Sequence, residues 1–125
     1  MAKILLIEDD QALCEVYQEI FTEAGFQIEI ALDGLEGIHK AKASHPALIL
    51  LDIVMPAMDG IEVLDILKSD PQTMGIPVVV LTNMPESGPE KQQAMDKGAV
   101  YYMMKSGTNP KSMTALVASL LEEKS

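Results

Sequence analysis

One cysteine, few basic residues and no long hydrophobic run limit what this sequence can encode. Cys14 cannot form an internal disulfide, and no cysteine and histidine spacing resembles a zinc site. We expect Cys14 to pack within a helix. The apolar run at residues 4–7 is far shorter than the roughly 20 residues of a membrane span and too short for a signal-peptide core. We therefore predict a cytoplasmic protein with no membrane partner.

Positive charge is scarce, because 19 acidic residues face 9 basic ones and the formal net charge is −10. Lysines form no cluster, so we expect no direct contact with nucleic acid, whose phosphates need basic patches. Cations and basic protein surfaces are more suitable partners. With 48% hydrophobic and 22% charged residues over 125 positions, the sequence predicts one folded domain.

Five short β-rich runs alternate with segments of helical period, at residues 4–7, 26–30, 47–51, 77–81 and 100–104. Three of them are continuously apolar, which is typical of strands buried on both faces of a parallel sheet. Residues 26–30 alternate instead, which favours an edge strand, and the other strands are predicted to be central. Repeated strand–helix units predict a doubly wound α/β sandwich.

Local signals bound the five predicted helices. The first helix carries an apolar stripe from Leu13 to Ala24, and the second begins at the capping box of Asp33 and Glu36. The third helix ends before Asp70, and the fourth runs from Ser87 to Asp96. The fifth helix begins at Asn109 and Pro110. The last of these runs nearly to the final residue. We therefore expect a single domain over residues 1–125 and no output domain.

Polar residues fall where the predicted strands end: Glu8, Asp9, Asp10, Asp52, Thr82 and Lys105. Considered singly, each has an ordinary explanation as a helix cap, a turn, a local hydrogen bond or a solvated charge. Asp10 in particular is expected to cap the first helix. The carboxyl ends of parallel strands nevertheless meet at one edge of the sheet. The set therefore predicts a shared cleft.

Several carboxylates in one cleft need a cation. Two carboxylates about 4 Å apart repel by roughly 4 kcal/mol at an effective dielectric of 20, so Glu8, Asp9 and Asp52 must protonate, separate or bind a metal. Oxygen ligands favour Mg²⁺, and Mn²⁺ would fit similarly. A metal beside a hydroxyl and an ammonium suits phosphoryl transfer, with Asp52 as a nucleophile that needs no base. Accordingly, His39 and His45 are expected to be structural or surface residues.

Residues 52–60, Asp-Ile-Val-Met-Pro-Ala-Met-Asp-Gly, resemble the D-x-x-M-P-x-x-D-G segment of bacterial two-component receiver domains. Residues 4–10, 79–82 and 104–105 stand at similar separations, so the resemblance covers essentially the whole chain. It implies a flavodoxin-like sheet of strand order 2-1-3-4-5 and a phosphoryl group on Asp52. A histidine kinase or phosphotransfer protein would supply that group, since no ATP-binding G-x-x-x-x-G-K-[ST] loop occurs. The chain would catalyse its own phosphorylation and dephosphorylation without being a conventional enzyme.

The resemblance also implies a metal site. Asp9 and Asp52 would bind Mg²⁺ directly, together with the backbone carbonyl of Val54. Glu8 would act through a metal-bound water. Lys105 would pair with the acceptor carboxylate or with its phosphate.

The switch residues implied by the resemblance are Thr82, which would move toward a phosphoryl oxygen, and Tyr102, which would then turn inward. Tyr101 is expected on the opposite side of the strand. The fourth helix, fifth strand and fifth helix would present the altered surface to an unknown protein target. The protein would be a monomer or a phosphorylation-dependent dimer.

The sequence departs from the family pattern at Ser106, where a proline, often in a cis peptide, usually follows the lysine. Val54 and Met84 beside the predicted site are both apolar. We expect them to hinder the hydrolytic water and so to prolong the life of the phosphorylated form.

Other interpretations remain open from sequence. A metal-dependent phosphohydrolase would use similar groups, but it normally needs a second acid two residues after the nucleophile, where Val54 stands. A flavin-binding module could share the fold, but the acidic loop after the first strand is a poor phosphate cradle. The chain could also be a receiver segment of a longer regulator.

Overall fold

The computed structural model describes residues 2–85, 87–106 and 109–124, and residues 123 and 124 by their backbone alone. Five strands alternate with five helices along these residues, as the sequence pattern predicts. The elements are β1 Lys3–Ile7, α1 Gln11–Glu23, β2 Gln27–Ala31, α2 Gly34–Ser44, β3 Leu48–Leu51, α3 Gly60–Ser69, β4 Val78–Thr82, α4 Pro89–Asp96, β5 Tyr101–Met104 and α5 Pro110–Lys124.

The five strands form one parallel sheet in the order β2-β1-β3-β4-β5. This confirms the predicted doubly wound, flavodoxin-like fold, and it confirms β2 as an edge strand. The prediction that the remaining strands are all central was wrong for β5, which forms the opposite edge. The apolar composition of β5 reflects burial of Tyr102 and Met103 rather than a strand on either side.

Alternating side chains of the strands feed two cores on opposite faces of the sheet. One face is covered by apolar residues of α2, α3 and α4, and the other by residues of α1 and α5. Cys14 is buried in the second core with Tyr17 and Phe21, as expected of a packing residue.

Three aspartates begin three of the helices by accepting backbone N–H bonds. Asp10 accepts from Leu13 at 3.1 Å, and Asp33 and Asp59 make the equivalent contact at the starts of α2 and α3. The predicted start of α4 at Ser87 was two residues early, because the helix begins at Pro89, whose fixed φ favours the first helical position. In the part of the chain that the structure describes, no helix combines the length and apolarity needed to cross a membrane.

Candidate functional site

An open cleft of about 390 Å³ lies at the carboxyl edge of the sheet. Its lining combines residues that follow β1, β3, β4 and β5, and so gathers side chains from four distant parts of the chain. The lining residues are Glu8, Asp9, Asp10, Asp52, Val54, Thr82, Asn83, Met84 and Lys105. The structure thus brings the predicted carboxylates, hydroxyl and ammonium together.

Asp52 is held in place by the backbone on either side of it. Its own N–H donates to the Ile7 carbonyl at 3.0 Å, and its Oδ1 accepts the N–H of Val54 at 3.0 Å. The following loop folds back so that the Gly60 N–H donates to the Ile53 carbonyl, also at 3.0 Å. A Cβ on Gly60 would overlap the Asp52 carbonyl oxygen and the Ile53 Cα, so this close approach requires glycine.

Lys105 reaches the two buried carboxylates of the cleft. Its Nζ lies 3.0 Å from Asp52 Oδ2 and 2.5 Å from Glu8 Oε1. Its backbone N–H donates to the Thr82 carbonyl at 2.9 Å, which extends the pairing of the last two strands by one residue. The peptide bond to Ser106 is trans, since the described residues include no cis peptide. Residues 107 and 108, which come next in the sequence, lie outside the described part of the chain.

Glu8 is almost completely buried, with only 1% of its surface exposed. Burial raises its pKa from 4.5 to about 7, and the charge of Asp52 adds to the rise while Lys105 opposes it. Burial also disfavours the charged form of Lys105, but bonds and charges from Glu8 and Asp52 outweigh that effect and raise its pKa. Lys105 is therefore a fixed positive charge within the cleft.

Three carboxylates could share one metal ion. Glu8, Asp9 and Asp52 each offer one oxygen, and these oxygens lie within 4.8 Å of one another. Glu8 and Asp52 are buried whereas Asp9 is exposed, so the group opens toward solvent. Asp10 has a different role from these three carboxylates, because its own carboxylate caps α1. Its backbone N–H donates to Glu8 Oε2 at 3.2 Å. An all-oxygen donor set of this kind suits a hard divalent cation.

Thr82 and Tyr102 are linked through the backbone of Met84. Thr82 is fully buried, and its Oγ1 accepts the Met84 N–H at 3.3 Å. Tyr102 is 3% exposed, and its hydroxyl donates to the Met84 carbonyl at 3.0 Å. Tyr102 thus already lies inward in this structure, whereas Tyr101 is 44% exposed. The expected inward turn of Tyr102 is thus already present here, and its coupling to a movement of Thr82 stays a prediction.

Sequence reasoning missed two features of the cleft. The contact between Lys105 and Glu8 was not expected, because only Asp52 was assigned to the lysine. Asn83 was not considered, although its position directly after Thr82, at the end of β4, could have indicated it. His39 and His45 are both exposed, as expected, and His45 ends α2 in the left-handed conformation.

We predict that the metal-free protein loses stability as the pH rises from about 4.5 to about 7. Because the pKa of Glu8 is raised on folding, the folded state binds more protons than the unfolded state within this window. The free energy of unfolding should therefore decrease, by an amount on the order of 2 kcal/mol. Urea titrations in a chelator should show a flatter pH dependence for Glu8→Gln than for the wild type. Identical slopes would contradict the assignment.

Comparison with known proteins identifies the family to which this chain is similar. Residues 4–118 match the response regulator receiver domain family. The chain is 39% identical over 116 residues to the transcriptional regulatory protein HprR of Escherichia coli, covering 93% of this chain and 48% of that protein. It is 36% identical over 121 residues to the DNA-binding dual master transcriptional regulator RpaA of Synechocystis, covering 97% of this chain and 49% of that protein. The chain thus spans about half the length of these regulators.

Solved structures show the same fold over nearly the whole chain. A CheY-like response regulator receiver domain protein from Methanospirillum hungatei superposes with a TM-score of 0.91 at 27% identity, covering 99% of this chain and 96% of that one. The chemotaxis protein CheY4 of Vibrio cholerae superposes with a TM-score of 0.87 at 28% identity, covering 95% of this chain and 98% of that one.

Proposed function

Since the chain belongs to the response regulator receiver domain family, we propose that its phosphoryl-accepting residue is Asp52. Receiver domains are phospho-acceptor signalling domains that interact with histidine kinases or phosphotransfer proteins. The observation that carries the assignment is the placement of Lys105 Nζ 3.0 Å from Asp52 Oδ2, inside a cleft that also holds Glu8 and Asp9. Glu8 is also buried, bonded to a backbone N–H and paired with Lys105, but Asp52 is the carboxylate that begins the D-x-x-M-P-x-x-D-G segment after β3.

The chemistry follows from these contacts. A carboxylate oxygen of Asp52 attacks the phosphorus of a phosphohistidine on the kinase or phosphotransfer protein, and the bond to the histidine nitrogen breaks. The imidazole keeps the electron pair and takes a proton. Lys105 offsets the charge that spreads over the phosphoryl oxygens, and the Thr82 hydroxyl donates to one of them. Asp52 needs no general base, because a carboxylate nucleophile has no proton to lose when it attacks.

Mg²⁺ is the cofactor that the donor set fits, and Mn²⁺ would satisfy it similarly. Asp9 and Asp52 would ligate it with their carboxylates and Val54 with its carbonyl, while Glu8 would act through a bound water. When bound, the ion supplies positive charge to the phosphoryl oxygens. It would also relieve the repulsion among the three carboxylates.

Magnesium is expected to stabilise the folded protein through Asp9. At about 100 times the dissociation constant, binding adds about 2.7 kcal/mol to the free energy of unfolding. Asp9→Asn should lose most of this gain in urea titrations with and without Mg²⁺. Asp10→Asn is the matched control, because it removes the same charge one residue away and keeps a residue suited to the helix cap. Equal gains in both variants would exclude Asp9 as a ligand.

Phosphorylation is expected to act as a conformational switch. Thr82 and Tyr102 would shift together, since both are bonded to Met84, and the surface of α4, β5 and α5 would change for a downstream protein. Converting a 1:99 balance of two states to 99:1 takes about 5.5 kcal/mol, within reach of several charge-assisted hydrogen bonds. We place this switch in the cytoplasm, as a monomer or a phosphorylation-dependent dimer.

The proposal is tested by intact-mass measurement after incubation with a small acyl phosphate and Mg²⁺. The wild type should gain one phosphoryl group and Asp52→Asn none. Asp59→Asn is the matched control, because it makes the same change seven residues on and retains a capping side chain for α3. An adduct on Asp52→Asn, or none on the wild type, would refute the assignment.

The apolar rim is expected to prolong the phosphorylated state. Val54 is 57% exposed and Met84 half-buried, and both line the cleft without offering a strong hydrogen-bonding group from the side chain. The double variant Val54→Asn, Met84→Gln should lose phosphate about tenfold faster, measured by mass after removal of the donor. Matched changes at exposed Val16 and Met74, outside the cleft, should have no effect. An unchanged rate in the cleft variant would contradict the idea.

A further inference from the structure

Asn83 offers the cleft an unused carboxamide. It is exposed, it follows β4 directly, and it lines the cleft with Asp52 and Lys105. Within the described residues its side chain makes no hydrogen bond. Its amide therefore contributes neither to a helix cap nor to a loop, and it is available to a molecule that enters the cleft.

The carboxylates of Glu8, Asp9 and Asp10 are assigned to the metal ion and to the cap of α1, and the remaining lining side chains other than Asn83 hold water poorly. Val54 and Met84 present apolar side chains there. The Thr82 hydroxyl is fully buried and accepts the Met84 N–H, and Lys105 is paired with two carboxylates. A water that approaches Asp52 from the rim therefore meets one neutral side chain with both a donor and an acceptor, which is Asn83.

We propose that Asn83 holds the water that hydrolyses the phosphorylated form, an inference that rests on the proposed phosphorylation of Asp52. The side-chain carbonyl oxygen of Asn83, Oδ1, accepts a hydrogen bond from this water. The water oxygen attacks phosphorus, and the bond from phosphorus to the Asp52 oxygen breaks. The carboxylate keeps the electron pair, inorganic phosphate leaves, and the proton passes to solvent. Asn83 thereby provides slow hydrolysis beside the apolar side chains of Val54 and Met84.

The test compares Asn83→Ala and Asn83→Leu with the wild type. Each protein is phosphorylated with a small acyl phosphate and Mg²⁺, the donor is removed, and the loss of the adduct is followed by intact mass. Leucine keeps the branching and the number of heavy atoms of asparagine without its polar atoms, so this pair separates hydrogen bonding from obstruction. Both variants should lose phosphate about three- to tenfold more slowly, the effect of one missing hydrogen bond in the transition state.

Comparing the rate of hydrolysis with the rate of phosphorylation in each variant distinguishes this role from a merely structural effect. Hydrolysis should fall by more than phosphorylation does, and the midpoint of thermal unfolding should remain close to that of the wild type. Hydrolysis that is unchanged or faster in Asn83→Ala would overturn the proposal, as would wild-type hydrolysis in Asn83→Leu, which would indicate a steric role. Absence of any adduct on the wild type would instead refute phosphorylation itself.

Discussion

Replacing Lys105 with methionine is expected to slow phosphorylation by about 10²-fold. Methionine keeps most of the length and apolar character of the lysine stem, while the ammonium 3.0 Å from Asp52 Oδ2 is lost. Preorganised charges of this kind contribute about 10² to 10³ in rate when they face the charge that develops in the transition state. Initial rates with a small acyl phosphate and saturating Mg²⁺, followed by intact mass, measure the loss.

Lys97→Met is the matched control for that experiment. Lys97 pairs with Asp65 at 3.2 Å on an exposed surface outside the cleft, so its loss should leave the rate unchanged. The Lys105 variant should also raise the pKa of Glu8 further, because the ammonium opposes the effect of burial. Equal rates for the Lys105 variant and the wild type would remove the lysine from the chemistry.

Gly60→Ala is expected to destabilise the fold by about 2 kcal/mol and to impair phosphorylation together with it. The added methyl would overlap the Asp52 carbonyl oxygen and the Ile53 Cα, both of which belong to the backbone and cannot rotate away. Overpacking of this kind typically costs about 1–3 kcal/mol. The loop between Asp52 and Gly60 would have to open, and this loop also positions the Asp52 carboxylate. The free energy of unfolding from urea titration and the initial rate of phosphorylation should therefore both decrease.

Gly75→Ala controls for the general effect of a glycine replacement. A Cβ at Gly75 would meet no atom within 4 Å, and the residue does not lie in the left-handed region. This change should be neutral or slightly stabilising, since alanine restricts the unfolded chain. If Gly60→Ala were as stable and as active as Gly75→Ala, the close approach of the loop to the strand would not matter for the site.

Most of the architecture could be predicted because burial in a parallel sheet leaves continuous apolar runs in the sequence. The runs at residues 4–7 and 77–81 correspond within one residue to strands of the central sheet. The helix starts at Asp10 and Asp33 were equally readable, since capping depends on local hydrogen bonds. The apolar pattern alone was wrong for β5, because burial by helices gives an edge strand the composition of a central one, whereas the strand order implied by the family resemblance places β5 correctly at the edge.

The site could be predicted as a set of residues but not as a set of contacts. The position of each polar residue after a strand is enough to bring Asp52 and Lys105 to the same edge of the sheet. The approach of Lys105 to Glu8 depends instead on the length and direction of one flexible side chain, which sequence spacing does not determine. Asn83 was overlooked because one neutral residue beside several charged ones gave no distinct signal.

Chemical mapping of the phosphorylated residue tests the central claim most directly. The protein is phosphorylated in Mg²⁺ and treated with borohydride, which reduces an aspartyl phosphate to homoserine, and the peptide masses then locate the change. We predict homoserine at position 52 and unaltered aspartate at positions 9, 10 and 59. A phosphoryl group on any other residue, or a wild type that takes up none, would contradict the account.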